Sequence, residues 1–430
     1  MRSINFESHP VRFVASLFSI ALILAAGCST PEPVEAPPAT AVTVFEGARL
    51  IVGDGSDPIE DAAFIVENDR FTAVGRRGQL DVPAGATRVD LTGKTVMPAI
   101  IDTHKHLAQT REETVDQLQH LAYYGVGVAM SLGHDVGDLA FQVREETIPD
   151  AARSRTAGRG ITAPEPGRSE ASYWITSEDE ARTAVQELAA RKVDLVKIWV
   201  DDRNGQYEKL SPALYGAIID EAHQHGLRVT AHIFALEDAK GLLRAGIDAF
   251  AHGIRDRDID EEIIELFKER PHVVLVPNLP DQGLAMDLSW LGETVPAEEL
   301  QQLQEASTDR PAVQERFGIQ SRNLGRLHAE GVRIAFGTDG GIAWRAPIEM
   351  VEMVASGMSP AEVITAATRN SAELLQLDDV GTVEADKSAD FIVLDANPLE
   401  DITNMRRIAD VYLRGEKVDR AALRAGWTGQ

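Results

Sequence analysis

"VMPAIIDTHKHL", Val96 to Leu107, decides how the rest of the chain is read. An apolar run carries straight into Asp102, His104 and His106, with Lys105 between the two imidazoles. In an extended strand, side chains at i and i+2 project from one face. A strand here therefore presents two ring nitrogens side by side at its end. No Gly-rich phosphate loop follows it, as a doubly wound nucleotide-binding sheet would require.

Downstream, apolar runs of strand length recur as "GVGVAMSL", "VDLVKIWV", "LRVTAHI", "IDAFAH", "HVVLVPN" and "VRIAFGTD". Amphipathic stretches of helix length separate them, such as "TSEDEARTAVQELAARK" and "SPALYGAIIDEAHQHG". Strands apolar on both faces, each followed by a helix, predict parallel βα units. With the 96–104 strand and a weaker one near 156–162 there are about eight, the number that closes a barrel. The expected fold class is α/β: a (β/α)8 TIM barrel over 96–375. Short β-like runs at 42–95 and 376–430, punctuated by turn signals such as "GDGSDP", predict one small β-sandwich made from both chain ends.

Of 430 residues, 44% are hydrophobic and 26% charged, an ordinary globular balance. The net charge of -26 argues against a nucleic-acid partner and against a basic membrane-binding face. Arg2 and Arg12 precede "FVASLFSIALILAAG", which is short for a membrane span and ends in small residues. That pattern predicts a signal peptide over 1–27. Cys28, the only cysteine, follows at once, and "LILAAGCST" resembles a bacterial lipoprotein lipobox, with Ala25 where leucine is usual. Lipidation of Cys28 is expected, with residues 28–41, rich in Pro and Ala, as the tether. The protein would then be exported to the bacterial cell envelope, facing the periplasm, its lipid on the outer membrane and no other membrane contact.

In a barrel the chemistry sits at the C-terminal ends of the strands. His104, His106, Lys197, His232, His252 and Asp339 all fall there, on five strands. Each alone has an ordinary reading: a hydrogen-bonded imidazole, a snorkelling lysine, an aspartate opening a turn. Together, four imidazoles and a carboxylate aimed into one cavity are costly without a cation to share. His120, His223, His225 and His328 lie in helical stretches, and His272 falls at the opposite strand end. His134, Trp199, Asp201, Arg255, Asp256 and Asn278 lie near the right ends to shape a substrate pocket, and each could equally be a loop residue.

"AIIDTHKHL", "VDLVKIWV", "AHI", "AHG", "FGTDGG" and the tail "AATRNSAELLQLDDVGTVEADKSADFIVLDANP" resemble the amidohydrolase superfamily. The likeness is to imidazolonepropionase-like and Xaa-Pro dipeptidase-like members. It implies two divalent metal ions, with His104, His106 and Asp339 holding one and His232 and His252 the other. Lys197 matches the lysine that carbon dioxide converts into a bridging carbamate in binuclear members. Imidazole and carboxylate ligands suit zinc, and also manganese, cobalt or iron.

The implied reaction is hydrolysis of a C–N bond in a small amide, dipeptide or cyclic amide. A metal-bridging hydroxide attacks, and Asp339 passes the proton to the leaving nitrogen. An esterase or lactonase using the same site, a mononuclear deaminase and a non-catalytic envelope binding protein are the alternatives. A homo-oligomer is compatible with all of them. Three positions depart from the family: Ala99 replaces a glycine, Pro347 stands where many relatives carry histidine, and Lys105 replaces an apolar residue. Lys105 is expected to face away from the site with little effect.

Overall fold

Residues from both ends of the chain meet in one eight-stranded sheet. The structure is a computed structural model that describes residues 42–428. The expected signal peptide, Cys28 and the tether lie outside the described residues. In spatial order the sheet runs Glu416–Lys417, Ile408–Leu413, Phe391–Leu394, Thr95–Pro98, Val42–Leu50, Ile59–Glu67 and Arg70–Arg76. Thr87–Asp90 pairs alongside Val42–Leu50. Its apolar face gathers Phe45, Phe64, Phe71 and Phe391, with ring centroids 5.0–5.8 Å apart. Gly47, at φ +90°, makes the bulge in the first strand, where a Cβ would come within 2.6 Å of Thr92 Oγ1.

Between the chain ends the strands are all parallel. Ile100–Lys105, Val126–Ser131 and Arg153–Thr156 form one sheet. The other runs Tyr173–Trp174, Ile161–Thr162, Val196–Val200, Val229–Ile233, Ala249–Phe250, Val274–Leu275, Arg333–Ile334. Backbone hydrogen bonds join their edges. Asp194 N donates to Thr156 O at 3.0 Å, Thr103 N to Phe336 O at 3.0 Å and Asp339 N to His104 O at 2.8 Å. The weak strand expected near 156–162 is present as two short pieces, Arg153–Thr156 and Ile161–Thr162.

Helices follow most strands because the sequence supplies their start signals and one apolar stripe. Thr110, Ser177, Ser211 and Asp260 each accept the N3 amide of the helix that follows. The helix Glu178–Ala190 buries Ala181, Ala184, Val185 and Leu188, a spacing of three and four, and leaves its acidic face to water. Two apolar runs leave the ladder early: "HVVLVPN" pairs only at Val274–Leu275 and "VRIAFGTD" only at Arg333–Ile334. Both then turn inward through left-handed residues, Asn278 at φ +42° and Asp339 at φ +50°. No helix among the described residues is long and apolar enough to cross a membrane.

Candidate metal centre

The i, i+2 register of Ile100–Lys105 puts His104 and His106 on one face, and the left-handed turn at Asp339 brings a carboxylate to them. Asp339 Oδ1 lies 3.0 Å from His106 Nε2 and 3.6 Å from His104 Nε2, and Oδ2 lies 3.7 Å from His252 Nε2. Ligand atoms of His104, His106 and Asp339 all fall within 4.8 Å of one another. The His232 ring packs edge-on to His252, centroids 4.5 Å apart. Lys197, one strand over, is wholly buried, and its Nζ has no hydrogen-bond partner. Of the six residues singled out from the sequence, His104, His106 and Asp339 form one close group, His252 lies against Asp339, His232 against His252, and Lys197 on the strand paired with that of His232.

Hydrogen bonds fix which ring atoms remain free. His104 Nδ1 donates to Ala251 O at 3.1 Å, so its Nε2 lone pair faces Asp339. His232 Nε2 bonds Asp201 Oδ2 at 3.0 Å, which leaves Nδ1 for a ligand. His106 Nδ1 and His252 Nδ1 are buried without partners.

Burial, reinforced by the charge of Lys197, pushes His104 well below the usual imidazole range. Burial and neighbouring His232 do the same to His252. Burial also lowers His232 to about 3, against the opposing pull of Asp201. Lys197 falls to about 7 through burial, although Asp339 opposes the shift. For Asp339 burial favours the neutral acid, but the surrounding imidazoles win and hold the carboxylate below its usual range. Neutral imidazoles and an ionised carboxylate, with buried polar atoms unmet, are the donor set of a divalent cation. The residues fit such an ion.

Lys105 is tied into the frame of the site more closely than its facing away would suggest. Its side chain points away from the histidine pair but is 1% exposed, because the loop after Arg333–Ile334 folds over it. Its Nζ donates to Thr338 Oγ1 at 2.9 Å and to Ile342 O at 3.0 Å, on either side of Asp339. Asp102 completes the tie, accepting from His104 N at 3.1 Å and from Thr338 Oγ1 at 2.7 Å.

Sequence reasoning missed a charged brace. Arg203 Nη1 donates to Asp201 Oδ2 at 2.7 Å, and its Nε donates to buried Glu165 at 3.0 Å. It also missed Glu349 and Arg345, which bond the backbone N and O of Leu279 at 2.8 and 2.9 Å. That clamp holds the residue next to Asn278, whose Nδ2 lies 2.6 Å from His104 Nδ1.

The residues expected at the pocket separate into layers. His134 is exposed and sandwiched: its ring stacks on His106 at 4.4 Å and on Trp199 at 5.4 Å. Trp199 is itself buried, seated against Gly133, where a Cβ would lie 2.6 Å from the indole. Arg255 donates to Ile233 O at 2.7 Å and sits 3.5 Å from His232 Nε2. Asp256 accepts the amide of Leu236 at the start of the helix Leu236–Ala245.

The description "Amidohydrolase family" matches residues 95–418. Ochratoxinase of Aspergillus niger is 26% identical over 421 residues, covering 84% of this chain and 82% of that protein. Imidazolonepropionase of Deinococcus radiodurans is 25% identical over 394 residues, covering 84% and 92%. A crystal structure of a candidate prolidase from Bifidobacterium longum superposes with a TM-score of 0.74 at 28% identity, covering 90% and 98%. A Xaa-Pro dipeptidase solved with bound methionine shares the fold at a TM-score of 0.71 and 22% identity, covering 88% of this chain and 99% of that one. The common architecture is a TIM-barrel-like α/β fold. Its strand-end histidines and aspartate lie inside the matched region, and the chain belongs to the amidohydrolase family.

Proposed function

We propose that this amidohydrolase is a binuclear metal enzyme that hydrolyses the C–N bond of a small amide, dipeptide or cyclic amide. The observation that carries the reading is Lys197: a lysine wholly buried among ligand histidines, with nothing to bond its amine. As a cation it would repel metals; as a carbamate it becomes an anionic ligand. The neutral amine adds to carbon dioxide and releases a proton, forming the N–C bond of the carbamate. Relatives named for ochratoxin, imidazolonepropionate and Xaa-Pro dipeptides support the substrate class.

His104, His106 and Asp339 would hold one ion, and His232 Nδ1 and His252 the other, with the Lys197 carbamate shared. When bound, two divalent ions supply Lewis acidity and a water nucleophile near neutral pH. Asp339, ionised and within reach of three imidazoles, takes the proton of that water and returns it to the leaving nitrogen. Ala251 O and Asp201 keep the His104 and His232 rings turned for ligation. The edge-joining hydrogen bonds support a closed (β/α)8 barrel over 96–375, with the β-sandwich drawn from 42–95 and 376–430. We place the enzyme in the bacterial envelope, anchored by a lipid on Cys28.

The test is metal content of the purified protein, wild type beside Lys197→Ala, with rates on dipeptides, N-acyl amino acids and lactones. Two ions per chain and C–N hydrolysis are expected, both falling in the variant. A single ion indifferent to Lys197 would sink the binuclear reading, and a preference for lactones would replace the amidase with an esterase. The same preparation from cells fed a fatty-acid analogue should carry label only when Cys28 is present.

A further inference from the structure

Among the described residues only four large apolar side chains are strongly exposed: Val136, Phe234, Leu284 and Ile342, at 52, 38, 48 and 51%. Every one lies beyond the C-terminal end of a parallel strand, on the face where the candidate ligands converge. Three follow a site residue closely along the chain. Val136 is two residues beyond His134, whose ring stacks on His106. Phe234 is two beyond His232, with the Arg255 guanidinium 5.4 Å from its ring centre. Ile342 is three beyond Asp339, its carbonyl held by buried Lys105.

Singly exposed apolar residues scattered over a surface need no explanation, but their confinement to one mouth does. This chain carries 68 acidic residues, so its surface is otherwise built to repel apolar contact. Beside Ile342 opens a cavity of about 430 Å³, lined by apolar Val295, Trp344 and Trp427 and by polar Asp116, His120 and Glu299 among others. Its lip includes Gly341, where a Cβ would lie 3.9 Å from His106 O. The volume falls in the range of small-molecule sites, roughly 300–1,000 Å³.

We propose that the substrate carries a large apolar group, gripped by Val136, Phe234 and Ile342 and received along the Trp344 and Trp427 wall of the cavity beside Ile342. This rests on the amidase reading above and narrows its substrate class to lipophilic amides. Each methylene removed from water there raises affinity about fourfold.

Two measurements on the metal-loaded full-length protein test it. The first compares kcat/KM for N-acetylglycine, N-decanoylglycine and N-acetylphenylalanine. The second titrates uncleavable N-alkyl methanesulfonamides of two, six and ten carbons by calorimetry. At least about a tenfold preference for a large apolar substrate is expected, with affinity rising along the alkyl series. Both gradients should shrink at least about fivefold in the Phe234→Ser/Ile342→Ser double variant. Flat gradients, or gradients that survive the double variant, overturn the proposal. If nothing is hydrolysed while sulfonamide affinity still climbs and responds to the variant, the amidase reading fails and the apolar site stands. Sedimentation with phosphatidylcholine vesicles through the same residues, without chain-length dependence, would make the rim a lipid contact and overturn the proposal.

Discussion

The phenylalanine cluster of the eight-stranded sheet and the inner part of the histidine cluster at the strand ends are equally dry. Phe45, Phe64, Phe71 and Phe391 are at most 2% exposed; Asp102, His104, Lys197 and His252 are at most 3%. In the first, each ring meets others edge-on, tilted or stacked, down to 4.5 Å between Phe391 and Tyr412. Burial there is repaid by dispersion and exclusion of water. In the second, Lys197 Nζ, His106 Nδ1 and His252 Nδ1 are stripped of water and given nothing in return. Burial by itself therefore says little about purpose. Burial of polar atoms without partners marks where folding free energy has been surrendered for chemistry.

The contrast can be broken most forcefully at Phe391. Phe391→Ala should cost about 3–5 kcal/mol of folding stability in denaturant titration, the usual toll of an emptied aromatic site. Turnover per folded molecule should hold within about twofold. If it falls in step with stability, the two clusters are one cooperative unit and the comparison fails.

Asp201→Asn sharpens the other side. The His232 ring loses its carboxylate partner, so metal affinity in chelator competition should drop about 10–100-fold. Denaturation of the metal-free protein should move little. An unchanged metal affinity would mean that His232 is oriented by packing alone.

The smallest effect is in pH. Burial keeps His104, His232 and His252 neutral in the fold, whereas the unfolded chain protonates each near pH 6.5. Below about pH 6.5 the unfolded state thus binds more protons, and stability falls as pH drops. For His232 the decline continues to about 3. Melts of metal-free protein at pH 7, 6 and 5 should fall progressively, by a few degrees in all. A flat series would mean that these rings take up protons without leaving the fold.

How far the sequence announced this depended on range. The residues that converge at the strand ends were legible because strand register is local: His104 and His106 share a face whatever the rest of the chain does. Lys197 stood out as one charge in an apolar run, and Asp339 as the carboxylate ending another. The helix Glu178–Ala190 showed its cap and stripe within a few residues. By contrast, Arg203 and Glu165 sit in irregular loops, 38 positions apart, with no periodicity to betray their pairing. The bonds of Lys105 were hidden because alternation reports which face a residue takes, not what covers that face. The strand at 153–162 was faint because its ladder is interrupted, so neither piece is long enough to show a pattern.

The lysine tie also governs when the site can exist. Lys105 Nζ and the Ile342 carbonyl it holds are 237 positions apart. A ribosome will have finished the two histidines of "IIDTHKHL" long before it makes the turn that carries Asp339. Until then the early strand holds an incomplete set of donors and an ammonium without its acceptors. Uptake of a metal by the full set would therefore be a late event in the life of each molecule. An ion held there would be drawn from the metals present when the last strand is in place.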